Sequence, residues 1–140
     1  MSKEPRVGVA LIIEYDDHVL LIKRKGSHGE GTWAVPGGHL EFGESPEECA
    51  RREAKEEVNV DVTDVRFRAI TNDVFEAEGK HYITIWMQGT LKSGEPIINA
   101  VNEVAEVGWF SWIALPQPLF LPLKNLLNGD CYPPQVSIHD

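Results

Sequence analysis

Seven glutamates fall between Gly37 and Val60, in the stretch GGHLEFGESPEECARREAKEEVNV, beside Arg51, Arg52 and Lys55. Carboxylates at this density can move protons, or they can hold a hard cation. Mg²⁺ prefers carboxylate oxygens and keeps its other positions for water and phosphate. Spacing bears on the choice. Glu53, Glu56 and Glu57 stand three and four residues apart, so on a helix all three share one face. Like charges so placed repel by about 0.2–0.5 kcal/mol per pair, a cost that a bound cation cancels. The competing reading is a solvated face partnered by Arg51, Arg52 and Lys55, as charge runs usually are. Gly37-Gly38 and Glu44, just upstream, weigh against it.

The elements that must position these groups lie around them. Ser45-Pro46-Glu47-Glu48 reads as a helix start, with Ser45 as cap, Pro46 at the first helical position and Glu48 closing a capping box. Cys49 to Val58 holds no Gly or Pro, so the helix runs on. Ala50, Ala54 and Val58 form an apolar stripe beside the acidic face, suited to packing on a sheet. Gly37 and Gly38 are read as a loop whose backbone can approach a ligand, with the Gly37 carbonyl free to act as an oxygen ligand.

Upstream, Val7 to Ile13 (VGVALII) predicts a strand buried on both faces, Val19 to Lys23 a second, and Trp33 to Pro36 a short third. Lys23, Arg24 and Lys25 at the end of the second strand are either a phosphate clamp or a charged, solvated strand end. His39 reads as a hydrogen-bonding loop residue, since Mg²⁺ has little use for nitrogen. Downstream, Asp64–Phe75 and His81–Leu91 alternate as two strands around a turn at Glu76–Lys80. Asn102–Trp112 predicts a further strand and Leu119–Asn128 a short amphipathic helix, with a loosely ordered tail from about residue 132.

Composition sets the outer limits. A chain of 140 residues, 42% hydrophobic and 25% charged, is expected to form one domain over residues 1–140. A net charge of −9 argues against a nucleic-acid polymer as partner, and it suits a polyphosphate only if metal ions stand between carboxylates and phosphates. No apolar run approaches the ~20 residues that span a bilayer, so no membrane partner is expected. The start MSKEPR lacks a signal-peptide core, and Cys49 and Cys131 form no disulfide framework, which predicts a cytoplasmic chain. Trp86, Trp109, Trp112, Phe120 and Leu121 cluster late in the chain, and their shielding predicts a homodimer.

Gly38, five residues, Glu44, seven residues, then Arg52-Glu53-Ala54-Lys55-Glu56-Glu57-Val58-Asn59-Val60 resembles the box of the Nudix hydrolases. One position departs: the family has glycine where this chain has Asn59. That touches the helix cap, where Asn is the next most tolerant residue, and none of the carboxylates. Pro36 to Glu44, Thr71 to Phe75, His81 to Thr84 and Leu115 to Phe120 are similar to the MutT-like nucleoside-triphosphate diphosphatases. The resemblance implies an α/β Nudix fold, a mixed β-sheet sandwiched between α-helices. It implies Mg²⁺ (Mn²⁺ as a substitute) and hydrolysis of a small nucleotide, ordinary or oxidised, to the monophosphate and pyrophosphate. The metal ligands implied are the Gly37 carbonyl, Glu53, Glu56 and Glu57. Glu53, oriented by Arg52, or else Glu44 is the general base. Arg24, Gly38, Phe120 and Leu121 are the substrate contacts. Relatives also carry acidic residues before the Trp-x-x-Trp strand; a gap-free match puts Ala100, Asn102 and Ala105 there. A slip of one residue brings in Glu103, the preferred extra ligand, or Glu106. Other nucleoside-diphosphate-linked compounds, prenyl diphosphates, and a non-catalytic nucleotide-sensing module are the alternatives.

Overall fold

The apolar run predicted at residues 7–13 lies at the middle of the sheet. In the computed structural model, which describes residues 3–134, the chain runs through β1 (Arg6–Tyr15), β2 (His18–Arg24), β3 (Trp33–Ala34), β4 (Gly37–His39) and α1 (Pro46–Val58). It continues through β5 (Asp61–Phe75), a 3₁₀ turn (Glu76–Glu78), β6 (Lys80–Ser93), β7 (Val104–Ser111) and α2 (Leu121–Leu127). The strands order β3-β2-β1-β6-β5, with β4 also on β1 and β7 also on β2. β1 and β6 pair in parallel from Arg6↔Tyr82 to Glu14↔Thr90; the other pairings are antiparallel.

Two helices cover the two faces of this mixed sheet. Val9, Leu11 and Ile13 on β1 and Leu20 and Ile22 on β2 pack with Cys49, Ala50, Ala54 and Val58 of α1. Ala10, Ile12, Val19 and Leu21 point the other way and pack with Trp86 and with Leu123 and Leu126 of α2. Strand side chains alternate between faces, so a strand with apolar residues at every position must be covered twice. The α1 stripe behaves as expected. The helix opens on Ser45 with both halves of the capping box and closes on Asn59 in the left-handed conformation (φ 60°, ψ 42°).

Five readings change. Gly37-Gly38 is not a loop: Gly37–His39 is a strand paired with Gly8–Ala10, and a Cβ at Gly37 would run into the Val9 carbonyl. β5 begins at Asp61 rather than Asp64, because register shifts between Asp61 and Ala69 break the alternation and Asp64 takes φ 56°. β7 begins at Val104 rather than Asn102. α2 begins at Leu121, with Phe120 before it in extended conformation. Tyr132 is tied to the sheet, its N–H and C=O both bonded to Ile70 at 2.8 and 2.9 Å, and Cys131 is buried; residues 135–140 lie outside the described residues. Of the side chains that suggested a homodimer, Trp86 is buried, while Trp109, Trp112, Phe120 and Leu121 are half-buried. Trp86 donates Nε1–H to Thr71, Trp112 donates to Glu14, and Trp109 lies against Tyr15 at 5.9 Å between centroids. Among the described residues no helix is long and apolar enough to cross a membrane.

Asn59 gives a test of the helix end. Asn59→Ala, forced to keep φ near +60°, should lower unfolding free energy by about 1 kcal/mol, and Asn59→Gly should leave it level or raise it. Urea unfolding of the two variants, with equal loss in both, would show that the left-handed cap contributes nothing.

Candidate active site

Arg52 is the hub of the acidic segment. Its Nε and a terminal nitrogen grip Glu44 at 2.6 and 3.1 Å, and its other nitrogen reaches Glu53 at 3.3 Å and Glu56 at 3.1 Å. It also donates to the His39 carbonyl. The fork can do this because helical spacing puts Glu56 on its own side, the long side chain reaches round to Glu53, and the turn before Ser45 brings Glu44 back. The hydrogen bond from Arg52, with a second from the Glu41 N–H, pulls the Glu44 carboxyl down to about 2. The same contact holds Arg52 above the ordinary guanidinium range. Burial pushes the Cys49 thiol, which points at the His39 carbonyl, up to about 12.

Glu53 and Glu57 are the opposite case. Glu57 is 6% exposed and accepts the Gly37 N–H at 3.0 Å. Leu11 N–H donates to the Pro36 carbonyl and Leu40 N–H to the Val7 carbonyl, so β4 alternation turns the peptide groups of Gly37 away from β1. That leaves its N–H for Glu57 and its carbonyl outside the ladder. Glu53 lies against Gly38, where a Cβ would run into its carboxylate. Burial first, then the charges of Glu53 and Glu103, raise Glu57 to about 8. Burial, opposed by Arg52 and reinforced by Glu56 and Glu103, raises Glu53 to about 7.

Buried acids that repel one another are a donor set for a hard divalent cation, which would return both to the ionised form. Among the described residues no three such side chains converge into a finished cation site, because Arg52 draws Glu44, Glu53 and Glu56 toward itself. Glu56 is turned outward, its side chain 57% exposed.

On the far side of Gly37 and Gly38 a cleft opens over the α2 face of the sheet. His28, Phe75, Tyr82 and Phe120 form its aromatic wall: His28 stacks on Tyr82 (5.7 Å, 7°) and meets Phe75 and Phe120 edge-on. Arg24 also lines it, its guanidinium 4.0 Å over the Phe120 ring, with Nε on the His28 carbonyl and a terminal nitrogen on Ser27. Thr84 and Trp86 make the floor. Behind them Asp73, fully buried, accepts from Thr71, Thr84 and Asn125.

The profile described as NUDIX domain matches residues 3–128. The chain belongs to the Nudix family. The crystal structure of a MutT Nudix hydrolase from Burkholderia pseudomallei superposes with a TM-score of 0.80 at 32% identity, covering 84% of this chain and 91% of that one. An "ADP-ribose pyrophosphatase" of Methanocaldococcus jannaschii is 50% identical over 56 residues, 40% of this chain and 33% of that protein. An "8-oxo-dGTP diphosphatase" of Proteus vulgaris is 37% identical over 63 residues, 44% of this chain and 56% of that protein. The chain spans between 33% and 40% of the length of the first curated relatives it matches.

Of the residues singled out in the sequence, Glu44, Arg52, Glu53 and Glu56 are joined by hydrogen bonds, and Gly37, Gly38 and Glu57 adjoin them. Glu103 lies close enough for its charge to act on Glu53 and Glu57, whereas Glu106 pairs with Lys23 at 3.4 Å. Arg24 and Phe120 reach the cleft. Leu121 is not among its lining residues, because α2 starts there and it is Pro122 and Leu123 that face inward. The sequence reading missed His28, Phe75, Tyr82, Thr84 and Trp86. The spacing of two along Tyr82, Thr84 and Trp86 was a usable signal, since it puts all three on one face of β6. His28, from a loop, carried none.

The raised acids set a pH signature for the metal-free protein. Glu53 and Glu57 bind protons more tightly folded than unfolded, so their contribution is favourable below pH 4.5. It is lost as pH rises through about 7 and about 8. Glu44 runs the other way, its contribution full above pH 4.5 and lost toward about 2. Thermal unfolding in chelator should fall between pH 5 and 9, and Glu57→Gln should flatten that fall. A wild-type profile that is level, or that rises, would contradict the burial of these two groups.

Proposed function

We propose that this chain is a divalent-cation-dependent hydrolase that converts a nucleoside triphosphate, ordinary or oxidised, to the monophosphate and pyrophosphate. One observation carries the reading: a single two-residue stretch, Gly37-Gly38, lines the aromatic cleft on one side and touches Glu57 and Glu53 on the other. A flat, uncharged base fits a wall of rings, and a polyphosphate leaving the cleft past the glycines would meet the acidic group.

The roles follow from the contacts. Glu53, Glu56, Glu57, the Gly37 carbonyl and Glu103 would hold Mg²⁺, with Mn²⁺ as a substitute. When bound, the cation neutralises phosphate charge and lowers the pKa of a coordinated water. Glu44 has its carboxylate committed to Arg52 and the Glu41 N–H, so it is a poor proton acceptor. Glu53, packed against Gly38 and oriented by Arg52 at 3.3 Å, takes the base role. Gly38 admits substrate because it has no side chain, and Phe120 faces the base. Arg24, steadied on Phe120 and on Ser27–His28, supplies charge at the cleft edge. The similarity to a protein named for 8-oxo-dGTP supports a triphosphate; the similarity to one named for ADP-ribose keeps diphosphate-linked nucleotides on the panel. The expected homodimer and cytoplasmic location belong to the same proposal. Light scattering that returned the mass of one chain at every concentration would remove the dimer.

The decisive assay is Mg²⁺-dependent formation of nucleoside monophosphate from ordinary and oxidised nucleoside triphosphates and from ADP-ribose, with the second product, pyrophosphate or ribose 5-phosphate, identified alongside. Pyrophosphate from a triphosphate supports the proposal, and activity on ADP-ribose alone overturns it. Glu53→Gln should lower kcat by about 10²–10⁴-fold and Glu44→Gln by much less; the reverse order would move the base to Glu44. Arg24→Ala should raise KM, with Arg24→Lys restoring only part, because a point charge cannot replace the stacked fork. Unchanged kinetics in Arg24→Ala would place this residue outside the substrate's reach.

A further inference from the structure

The last four carbonyls of a helix have no partner inside it. In α1 these belong to Lys55, Glu56, Glu57 and Val58, at the end of the turn that carries the acidic group. Apart from the Asn59 N–H on Lys55 O, they are met by a distant segment, the connection between β6 and β7. Ile97 N–H donates to Val58 O at 3.1 Å, and the N–H groups of Asn99 and Ala100 donate to Glu57 O at 2.9 and 3.3 Å. The Asn99 side-chain amide spans two more, donating to Glu56 O at 3.0 Å and Lys55 O at 3.4 Å.

From that dock the chain turns sharply. Ala100 O accepts from both Glu103 N–H and Val104 N–H at 3.0 Å. Glu103 O accepts the Lys25 N–H at 3.0 Å, and the Lys25 ammonium bonds Val101 O at 3.3 Å. The backbone of Glu103 is therefore held from the helix end on one side and from the end of β2 on the other. Its side chain is exposed, so packing does not place the carboxylate and the backbone must. Its charge acts on Glu53, Glu57 and Arg24 together.

We propose that Asn99 is a positioning residue: by docking segment 97–103 on the terminal carbonyls of α1, it sets Glu103 beside Glu53 and Glu57 and so completes the acidic site. This rests on the reading of that site as a divalent-cation site. Asparagine suits the task because its amide carries two donors, enough for two carbonyls, while its backbone N–H meets a third. Aspartate, of the same shape, would face those carbonyls with oxygens.

The test is Mn²⁺ affinity by titration calorimetry on the whole protein, without substrate, for Asn99→Ala, Glu103→Ala and the double variant. Asn99→Ala should weaken binding about tenfold, as loss of an orienting partner does. Because Asn99 acts through Glu103, the double variant should bind no more weakly than Glu103→Ala alone. Asn99→Ser, which keeps one donor, should fall between wild type and Asn99→Ala, and it carries the comparison if Asn99→Ala does not fold. Unchanged affinity in a folded Asn99→Ala with a lowered Tm would make Asn99 a helix cap only. So would losses that add in the double variant, and either result overturns the proposal. Glu57→Gln run alongside separates the two layers: wild-type Mn²⁺ affinity in that variant would defeat the cation-site reading itself.

Discussion

Two carboxylates are held out of water against bare backbone, and much of the architecture serves that placement. Glu53 reaches β4 only because Gly38 has no side chain there, β4 can lie so close to β1 only because Gly37 has none, and Glu57 is held by the Gly37 N–H. Burying a carboxylate is costly, and each neighbouring charge adds to the cost. The energy to do it comes from elsewhere in the same helix. Cys49, Ala50, Ala54 and Val58 are small enough to seat α1 against the sheet and are fully buried. The stripe that stabilises the fold and the face that strains it are thus a quarter-turn apart on one element.

Arg52 makes this tolerable in a protein without cation. A guanidinium that reaches Glu44, Glu53 and Glu56 neutralises part of the acidic charge, and its five donors in a fixed fork let it do so without being drawn into the core. The same contacts compete with a cation for Glu53 and Glu56, though not for Glu57, which is held by the Gly37 N–H instead. The acidic group therefore has one member fixed by backbone, two shared with Arg52, and Glu103 brought in on a separate segment.

The parts legible in the sequence are those specified by neighbours in the chain. Ser45, Pro46, Glu48 and Asn59 define both ends of α1 because capping is a local interaction, and the apolar run in β1 announces two covered faces wherever its partners come from. Gly37–His39 was misread because a strand of three residues is defined by its partner, β1, and glycine speaks for loops. The aromatic wall was invisible for a similar reason. His28, Phe75, Tyr82 and Phe120 come from four separate places and are joined only by the sheet and α2. Phe120 and Leu121 could not be told apart without knowing that α2 starts between them. One slip of a single residue brought both Glu103 and Glu106 into line, and what separates them is tertiary: Glu106 sits on β7 opposite Lys23 and pairs with it, while Glu103 precedes the strand.

Net charge also misleads when taken as a single number. A chain at −9 looks hostile to any anion, yet Arg24 lines the cleft and Arg52 sits among the acids, so positive charge stands on both sides of the glycine pair. Around the cleft, the fields of Arg24 and Lys80, with Arg6 at His39, add to burial and push both His28 and His39 below the ordinary imidazole range. Neutral rings then present aromatic surface rather than charge, which is what stacking against Tyr82 and Phe120 requires. The cleft is thus walled by neutral rings beside the Arg24 guanidinium, with Glu78 3.8 Å from His28, while Glu53 and Glu57 lie against Gly38 and Gly37. The placement of these charges, rather than their total, sets the field that a ligand in the cleft would meet.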